Sequence, residues 1–452
     1  MAVIAPFRGL RYNPSKIPDL EAVVTPPYDV IDKEAQAAFM GKNPYNMIHL
    51  DLSKNFTAAQ LTGERYGQAK ALFESWQAAA VLERDARPAI YVYHVEYRLP
   101  SGERRTRRGM ICQVQLAEFS EGIVKPHEKT FSGVTGDRLR LLDTCHAQFS
   151  PIFSLYPDGQ GAVMGCLEAG RTAEPLCSVL DHDGCRHQLW AVTDPVIIAA
   201  VQAMFRDKAL YIADGHHRYT TALQFRAQMR ERLGQLDPCS PYNHTMMYLC
   251  PMEDPGLAIL PTHRLVRVPA GETLEALLAG FQEAFEVAEV KNGSRESLIA
   301  EVLAKMADNP EQRTKFGFYH AGTDRCFVLT LLDDAMARLS GHHPPALCDL
   351  DVVVLSDLIL DRMPGLDKTR CVQGDLLDYY SDPDVALDVA VKEAQAGGAT
   401  MPLLFLMNPT LAGQVKRVAD EGLVMPHKST FFYPKLLTGL LLNKIVPEEP
   451  LC

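Results

Sequence analysis

The 452-residue chain is 47% hydrophobic and 22% charged, the ordinary balance of a globular protein, and its length suggests about three domains. A formal net charge of −11 argues against a general nucleic-acid-binding face. The longest apolar runs, around residues 403–407 and 436–442, fall far short of the roughly 20 residues a membrane span needs, so neither nucleic acid nor membrane is expected as a partner.

Residues 1–11 carry neither a basic segment nor an apolar core of signal-peptide length, which makes the cytoplasm the expected location. Eleven cysteines without a C-x-x-C pair fit reduced thiols better than a disulfide framework or a cysteine-rich zinc site. Near the start, Thr25-Pro26-Pro27-Tyr28-Asp29-Val30 imposes an extended segment, because proline fixes its own φ and disfavours helix in the residue before it. Residues 58–82 place Tyr66, Ala69, Leu72, Phe73 and Trp76 on one stripe of a long amphipathic helix.

Alternating aromatic and β-branched residues predict a strand over 89–99 and, after a turn at Ser101-Gly102, a second over 107–116. The charged strip Glu103-Arg104-Arg105-Thr106-Arg107-Arg108 reads as a solvated loop at the hairpin turn, with nucleotide steering as the lesser alternative. A strand is predicted over 151–156. A βα unit over 188–228 follows, with a helix over 195–205 and a buried strand over 209–213. Strands near 245–252 and 258–260 come next. Helices over 272–285 and 295–307 then alternate with strands near 315–319 and 325–331. The pattern predicts an α+β (mixed α/β) protein in three regions, 1–145, 146–268 and 269–452, with linkers at 237–241 and 340–345.

The densest polar cluster, Asp214-Gly215-His216-His217-Arg218, sits between the strand over 209–213 and a helix bearing Tyr219, Ala222, Leu223 and Phe225. A helix's first turn exposes N–H groups with partial positive charge, Gly215 lets an anion approach them, and Arg218 adds a forked guanidinium suited to phosphate or carboxylate. A polar helix cap with surface histidines is the alternative.

Two stretches three hundred residues apart echo each other. Glu121-Gly122-Ile123-Val124-Lys125-Pro126-His127-Glu128-Lys129-Thr130-Phe131 matches Glu421-Gly422-Leu423-Val424-Met425-Pro426-His427-Lys428-Ser429-Thr430-Phe431 at seven of eleven positions. Their surroundings do not repeat, so each is read as a separate polar loop. In the first, Glu128 can act as a base and His127 as its hydrogen-bonding partner, with Thr130 and Arg138 near enough in sequence to contact a ligand. In the second, Lys428, Ser429, Thr430, Tyr433 and Lys435 suit phosphate or carboxylate oxygens. Turn and capping hydrogen bonds are the bland alternative for both. Zinc is poorly served, because adjacent His216 and His217 cannot easily ligate one ion; magnesium needs only one or two carboxylates, such as Asp214 or Glu128, beside substrate phosphates.

Pro6-Phe7-Arg8-Gly9-Leu10-Arg11-Tyr12, Pro26-Pro27-Tyr28-Asp29-Val30-Ile31, His127-Glu128-Lys129-Thr130, Ala213-Asp214-Gly215-His216-His217-Arg218-Tyr219 and Lys428-Ser429-Thr430-Phe431-Phe432-Tyr433-Pro434-Lys435 together resemble the bacterial and archaeal family numbered 1015 among domains of unknown function. The layout around residues 194–223 is also similar to the Gly-x-x-Arg nucleotide-binding motif of ParB-type proteins and sulfiredoxins, with Gly215, His216, His217 and Arg218 at its four positions. That resemblance implies a ParB/sulfiredoxin-like core between mixed-sheet terminal regions, and some members of that fold group are free-serine kinases with a glutamate base. It departs from ParB proteins in lacking an obvious helix-turn-helix, and from sulfiredoxins in having His216 near where a reactive cysteine is expected.

The resemblance implies ATP or ADP with magnesium as cofactors and phosphoryl transfer to a small hydroxylated metabolite, free serine among the candidates. Gly215, His217, Arg218, Thr130, Arg138, Lys428 and Thr430 would then bind the ligand. Asp214 would help place magnesium, Glu128 would be the base, and His127 and His216 would assist it. Two other readings stay open: a nucleotide-binding switch or scaffold, for which a homodimer is one expected state, and a phosphatase acting on a phosphorylated amino acid with His216 or His127 as nucleophile or acid.

Overall fold

The computed structural model describes residues 1–52, 64–291, 293–309, 313–341, 343–363, 366 and 376–451. Helix (36%) and strand (26%) are both abundant and the sheets are mixed, which makes the protein α+β as expected. The chain forms two compact units, one of residues 1–258 with 434–452 and one of residues 259–433. Strands from both sides of residue 145 share one sheet in the first unit, and both predicted linkers lie inside a unit.

In chain order the first unit contains β1 (Ile4–Ala5), β2 (Leu10–Tyr12), α1 (Lys33–Lys42), α2 (Ile48–Asp51), α3 (Glu64–Ala78), β3 (Leu82–Arg84), β4 (Ile90–Arg98), β5 (Arg104–Gln115), β6 (Val124–Lys125), α4 (Ser132–Cys145), β7 (Ala147–Gln148) and β8 (Ile152–Tyr156). It continues through α5 (Ala162–Gly170), β9 (Cys177–Leu180), β10 (Arg186–Val192), α6 (Pro195–Phe205), β11 (Leu210–Asp214), α7 (His216–Leu233) and β12 (His244–Pro251). The main sheet runs β6-β11-β8-β12-β5-β4-β10-β9, with β1 added against β5. Most pairs are antiparallel, but β6 pairs β11 in parallel and β12 pairs β8 in parallel. All eight residues of the central strand β12 are buried, as a strand covered on both faces requires.

Local signals explain the element ends. Asp194 caps α6 by accepting from Val196 N, and Pro195 enters the first turn, where its missing N–H costs nothing. Along α7, Tyr219, Ala222, Phe225 and Met229 turn inward at helical spacing, while Arg230 and Arg232 face the negative end of its dipole. Helix α3 buries Tyr66, Ala69, Phe73 and Trp76 as the stripe predicts, but Leu72 is exposed; residues 58–63 of the predicted stretch fall outside the described residues.

The charged strip is a correction. Residues 104–108 belong to β5, and Arg107 is fully buried, with its Nη1 donating to Pro434 O at 2.8 Å and its guanidinium over the Phe153 and Tyr248 rings. Strand alternation sends that side chain inward, where aromatic faces and a carbonyl receive the cation. The thiols need a correction too: eight described cysteines are outside any disulfide, whereas Cys239 is disulfide-bonded. Among the described residues no helix is long and apolar enough to cross a membrane.

The second unit is built on a six-stranded antiparallel sheet in the order Phe285–Val290, Arg325–Leu331, Lys315–His320, Thr400–Leu406, His263–Pro269, Leu377–Tyr380. The helices Arg295–Ala307 and Pro383–Ala396 pack on it through Ile299, Val302, Leu387 and Ala390.

Gly109 lies inside β5, and a Cβ there would meet the Tyr248 ring at 2.5 Å and Leu249 O at 2.6 Å. Gly109→Ala is therefore expected to lower unfolding free energy by about 1–3 kcal/mol through overpacking, measured by chemical denaturation.

Candidate functional site

The polar cluster at 214–218 and the loop at 126–131 are brought together by strand pairing. In the parallel pair, Leu210 lies beside Val124 and Tyr211 beside Lys125, so both chains leave the sheet at the same edge. Carboxyl ends of parallel strands are where open sheets build their binding crevices. From β6 the chain passes into Pro126-His127-Glu128, and from β11 into Gly215 and α7.

The two adjacent histidines fasten one loop to the other. His216 Nε2 accepts from His127 N at 3.3 Å, and one position on, His217 Nε2 accepts from Phe131 N at 3.0 Å while its ring stacks on Phe131. Accepting through Nε2 puts the His216 proton on Nδ1, which lies 3.7 Å from Glu128 Oε2. The His127 and His216 rings meet edge to face at 4.6 Å. Both are buried. Burial and then the His127 ring push His216 down to about 3, although Glu128 and Asp214 pull the other way. Burial likewise lowers His127, again against Glu128. Both imidazoles are neutral at pH 7. Glu128 keeps a quarter of its side chain exposed, and Thr130 is half-buried between the two anchored positions.

Asp214 ends β11 with both oxygens engaged. Lys435 Nζ donates to Oδ1 at 2.5 Å, and Arg218 Nη2 donates to Oδ2. Burial alone would raise this carboxyl, but Lys435 and Arg218 hold it well below the usual carboxylate range. Arg218 also donates from Nη1 to Ser150 Oγ at 3.2 Å and to Pro151 O. Its guanidinium folds back over the turn, and Gly215, at φ 94°, makes room: a Cβ there would lie 2.9 Å from Arg218 Nε. The glycine thus serves the left-handed turn and the arginine's return path as well as any anion approach. To act as a magnesium ligand, Asp214 would have to release Lys435 or Arg218. Among the described residues no group of three or more His, Cys, Asp or Glu is arranged to hold a metal ion.

Arg138 lies on α4, buried. It donates from Nη1 to Asp51 Oδ1 at 2.8 Å, from Nη2 to Asp51 O at 3.0 Å, and from Nε and Nη2 to Asp137 Oδ2 at 2.9 and 2.6 Å. Its guanidinium covers the Tyr28 ring at 4.3 Å. Arg138, Asp51, Tyr28 and Arg218 line one cavity of about 60 Å³. Sequence reasoning did not select Asp51 or Tyr28. Tyr28 stood inside the Pro-Pro-Tyr-Asp-Val phrase, which could have flagged it, whereas Asp51 carries no local signal. Lys435 was noticed only as one member of a cationic loop. Lys428 and Thr430 belong to the second unit, where Lys428 adopts φ 57° and its carbonyl accepts from Arg264 Nη2 at 3.2 Å.

An α+β protein whose paired parallel strands present neutral histidines, a carboxylate and an ion-paired turn defines the class. The chain belongs to the family described as protein of unknown function (DUF1015), which matches residues 4–353. No curated protein matches it. Among solved structures the chain is similar to a free serine kinase variant in complex with ADP, at 14% identity over 70% of this chain and 85% of that one, with a TM-score of 0.33. It is also similar to a conserved hypothetical protein from Pyrococcus furiosus (12% identity, 70% and 88% covered, TM-score 0.32). SbnI with a C-terminal truncation from Staphylococcus aureus is a third (10% identity, 72% and 85% covered, TM-score 0.32). At these scores the likenesses carry no argument about ligand or activity.

A histidine held at about 3 when folded and 6.5 when unfolded contributes its full stability above 6.5 and loses it as pH falls, because the unfolded chain takes up the proton first. Between pH 7.5 and pH 5, His216→Gln is expected to lose about 2 kcal/mol less unfolding free energy than the wild type. Urea titrations of both proteins at each pH provide the measurement.

Proposed function

We propose that the turn at residues 214–218 binds the phosphates of ATP or ADP and that the protein transfers a phosphoryl group to a small hydroxylated metabolite, with free serine among the acceptors to test. The observation that carries this reading is the junction of the two loops: a partly exposed carboxylate, Glu128, beside a buried neutral imidazole, His216, at the N-terminus of the 18-residue helix α7. The start of α7 offers the positive end of the helix dipole to phosphate oxygens, with Gly215 keeping the approach open and the Lys435 cation close by at Asp214. The resemblance of Gly215 to Arg218 to the Gly-x-x-Arg turn of ParB-type proteins and sulfiredoxins supports the same assignment.

In the transfer, the acceptor oxygen bonds to phosphorus as its proton passes to Glu128, and the bond from that phosphorus to the nucleotide's bridging oxygen breaks. His216 Nδ1–H faces the Glu128 carboxylate and keeps it oriented, while His127 N holds the imidazole in that tautomer. Arg218 holds the turn closed through Asp214 and adds positive potential. Catalysis in such a step rests on positioning and on electrostatic stabilisation of the phosphoryl group. Magnesium would arrive with the nucleotide, carried by its phosphates.

Incubation with labelled ATP or ADP, magnesium and a pool of hydroxylated metabolites, read by mass spectrometry, is expected to place phosphate on a metabolite. Glu128→Gln should slow that transfer by about 100-fold or more with nucleotide binding retained. Nucleotide binding with no phosphorylated product would establish the switch reading instead, and release of phosphate from a phosphorylated amino acid would establish the phosphatase.

A further inference from the structure

The cavity of about 60 Å³ between α4 and α7 is lined by charged groups that are themselves buried: Asp51 and Arg138 are each 6% exposed. Arginine has five N–H donors. Arg138 commits four of them, to Asp51 and Asp137, and Arg218 commits three, to Ser150, Pro151 and Asp214. One donor of Arg138 and two of Arg218 are left over among the described residues. Asp51 presents the complementary deficit, since Oδ1 accepts from Arg138 while Oδ2 has no partner among the described residues. Burial raises the Asp51 carboxyl, and Arg138 and Arg218, both close enough to act on it, pull it down. Open donors and acceptors along a cavity wall favour a ligand whose groups match them.

The unused groups have a definite pattern. Three guanidinium N–H donors from two arginines call for a carboxylate, and a lone carboxylate oxygen calls for a cationic donor. Room for about four to six water-sized atoms fits one carboxylate, one carbon and one nitrogen, and little more. Gln148 and Thr245, also in the lining, hydrogen-bond each other at 3.1 Å, so they define the wall without competing for the ligand.

We propose that this cavity receives the α-amino carboxylate head of a small free amino acid, its carboxylate on Arg138 and Arg218 and its ammonium on Asp51 Oδ2. The inference deepens the phosphoryl-transfer reading by naming the acceptor's class. It rests on that reading only for what becomes of the bound amino acid, because binding itself requires no nucleotide.

The test is calorimetric titration of the full chain, without nucleotide, with L-serine, L-alanine, ethanolamine and propionate. L-serine and L-alanine are expected to bind, while ethanolamine, lacking the carboxylate, and propionate, lacking the ammonium, bind at least about tenfold more weakly. Absence of binding by both amino acids, or equal binding of either truncated probe, overturns the proposal. Ala222→Leu, which fills the cavity from α7, should abolish amino-acid binding with the circular dichroism spectrum unchanged; where that variant does not fold, the wild-type probe series still decides. Amino-acid binding without any phosphate transfer would sink the kinase reading and leave the cavity assignment standing. Transfer to acceptors that lack the amino carboxylate, with no binding of L-alanine, would do the reverse.

Discussion

The largely buried carboxylate of Asp214, 14% exposed, holds together the local structure on which the candidate site depends. It ends β11, takes one cation from the first turn of α7 and another from residue 435, and so joins segments more than two hundred residues apart. A carboxylate taken out of water is tolerated only with such compensation, and two cations provide it. The same pairing folds Arg218 back over Gly215, where its other amino group reaches Ser150 and Pro151 at the start of β8. The geometry of this turn is therefore set by an electrostatic bridge as well as by glycine's backbone freedom.

Next to that bridge, the chain uses hydrogen bonds to neutral rings. His216 and His217 each accept a backbone N–H from the loop that follows β6, and burial keeps His216 uncharged so that its lone pair is available. The adjacent pair, unpromising as metal ligands, makes sense as two staples one residue apart. Glu128 then stands beside the neutral His216 ring with a quarter of its side chain exposed. Asp214 and the Arg138 network carry ion pairs, whereas the His127 and His216 rings at the loop junction are neutral.

How much of this was legible in the chain varies with the range of the interaction. The helices over 195–205 and 295–307 and the strand over 325–331 were readable to the residue, because caps and periodicity are local. The strip 103–108 was misread because its arginines outweighed the strand alternation, and only a partner strand and two aromatic rings made Arg107 an interior residue. Asp51 had no signal at all: its role comes from Arg138, 87 residues away. The phrases at 121–131 and 421–431 looked like one motif used twice, yet they occur in different units with different neighbours.

The amino-acid sequence by itself determined the α+β class, the strand-to-helix junction at the 214–218 cluster and the chemical types gathered at 127–130 and 214–218, because composition, caps and periodicity act within a few residues. Which of those groups are charged, which nitrogen of His216 bears its proton, and that Asp214 serves as a doubly paired counter-ion were decided by tertiary structure. Protonation and ion pairing depend on burial and on partners that only the parallel β6–β11 pairing and the return of residues 434–452 bring within reach.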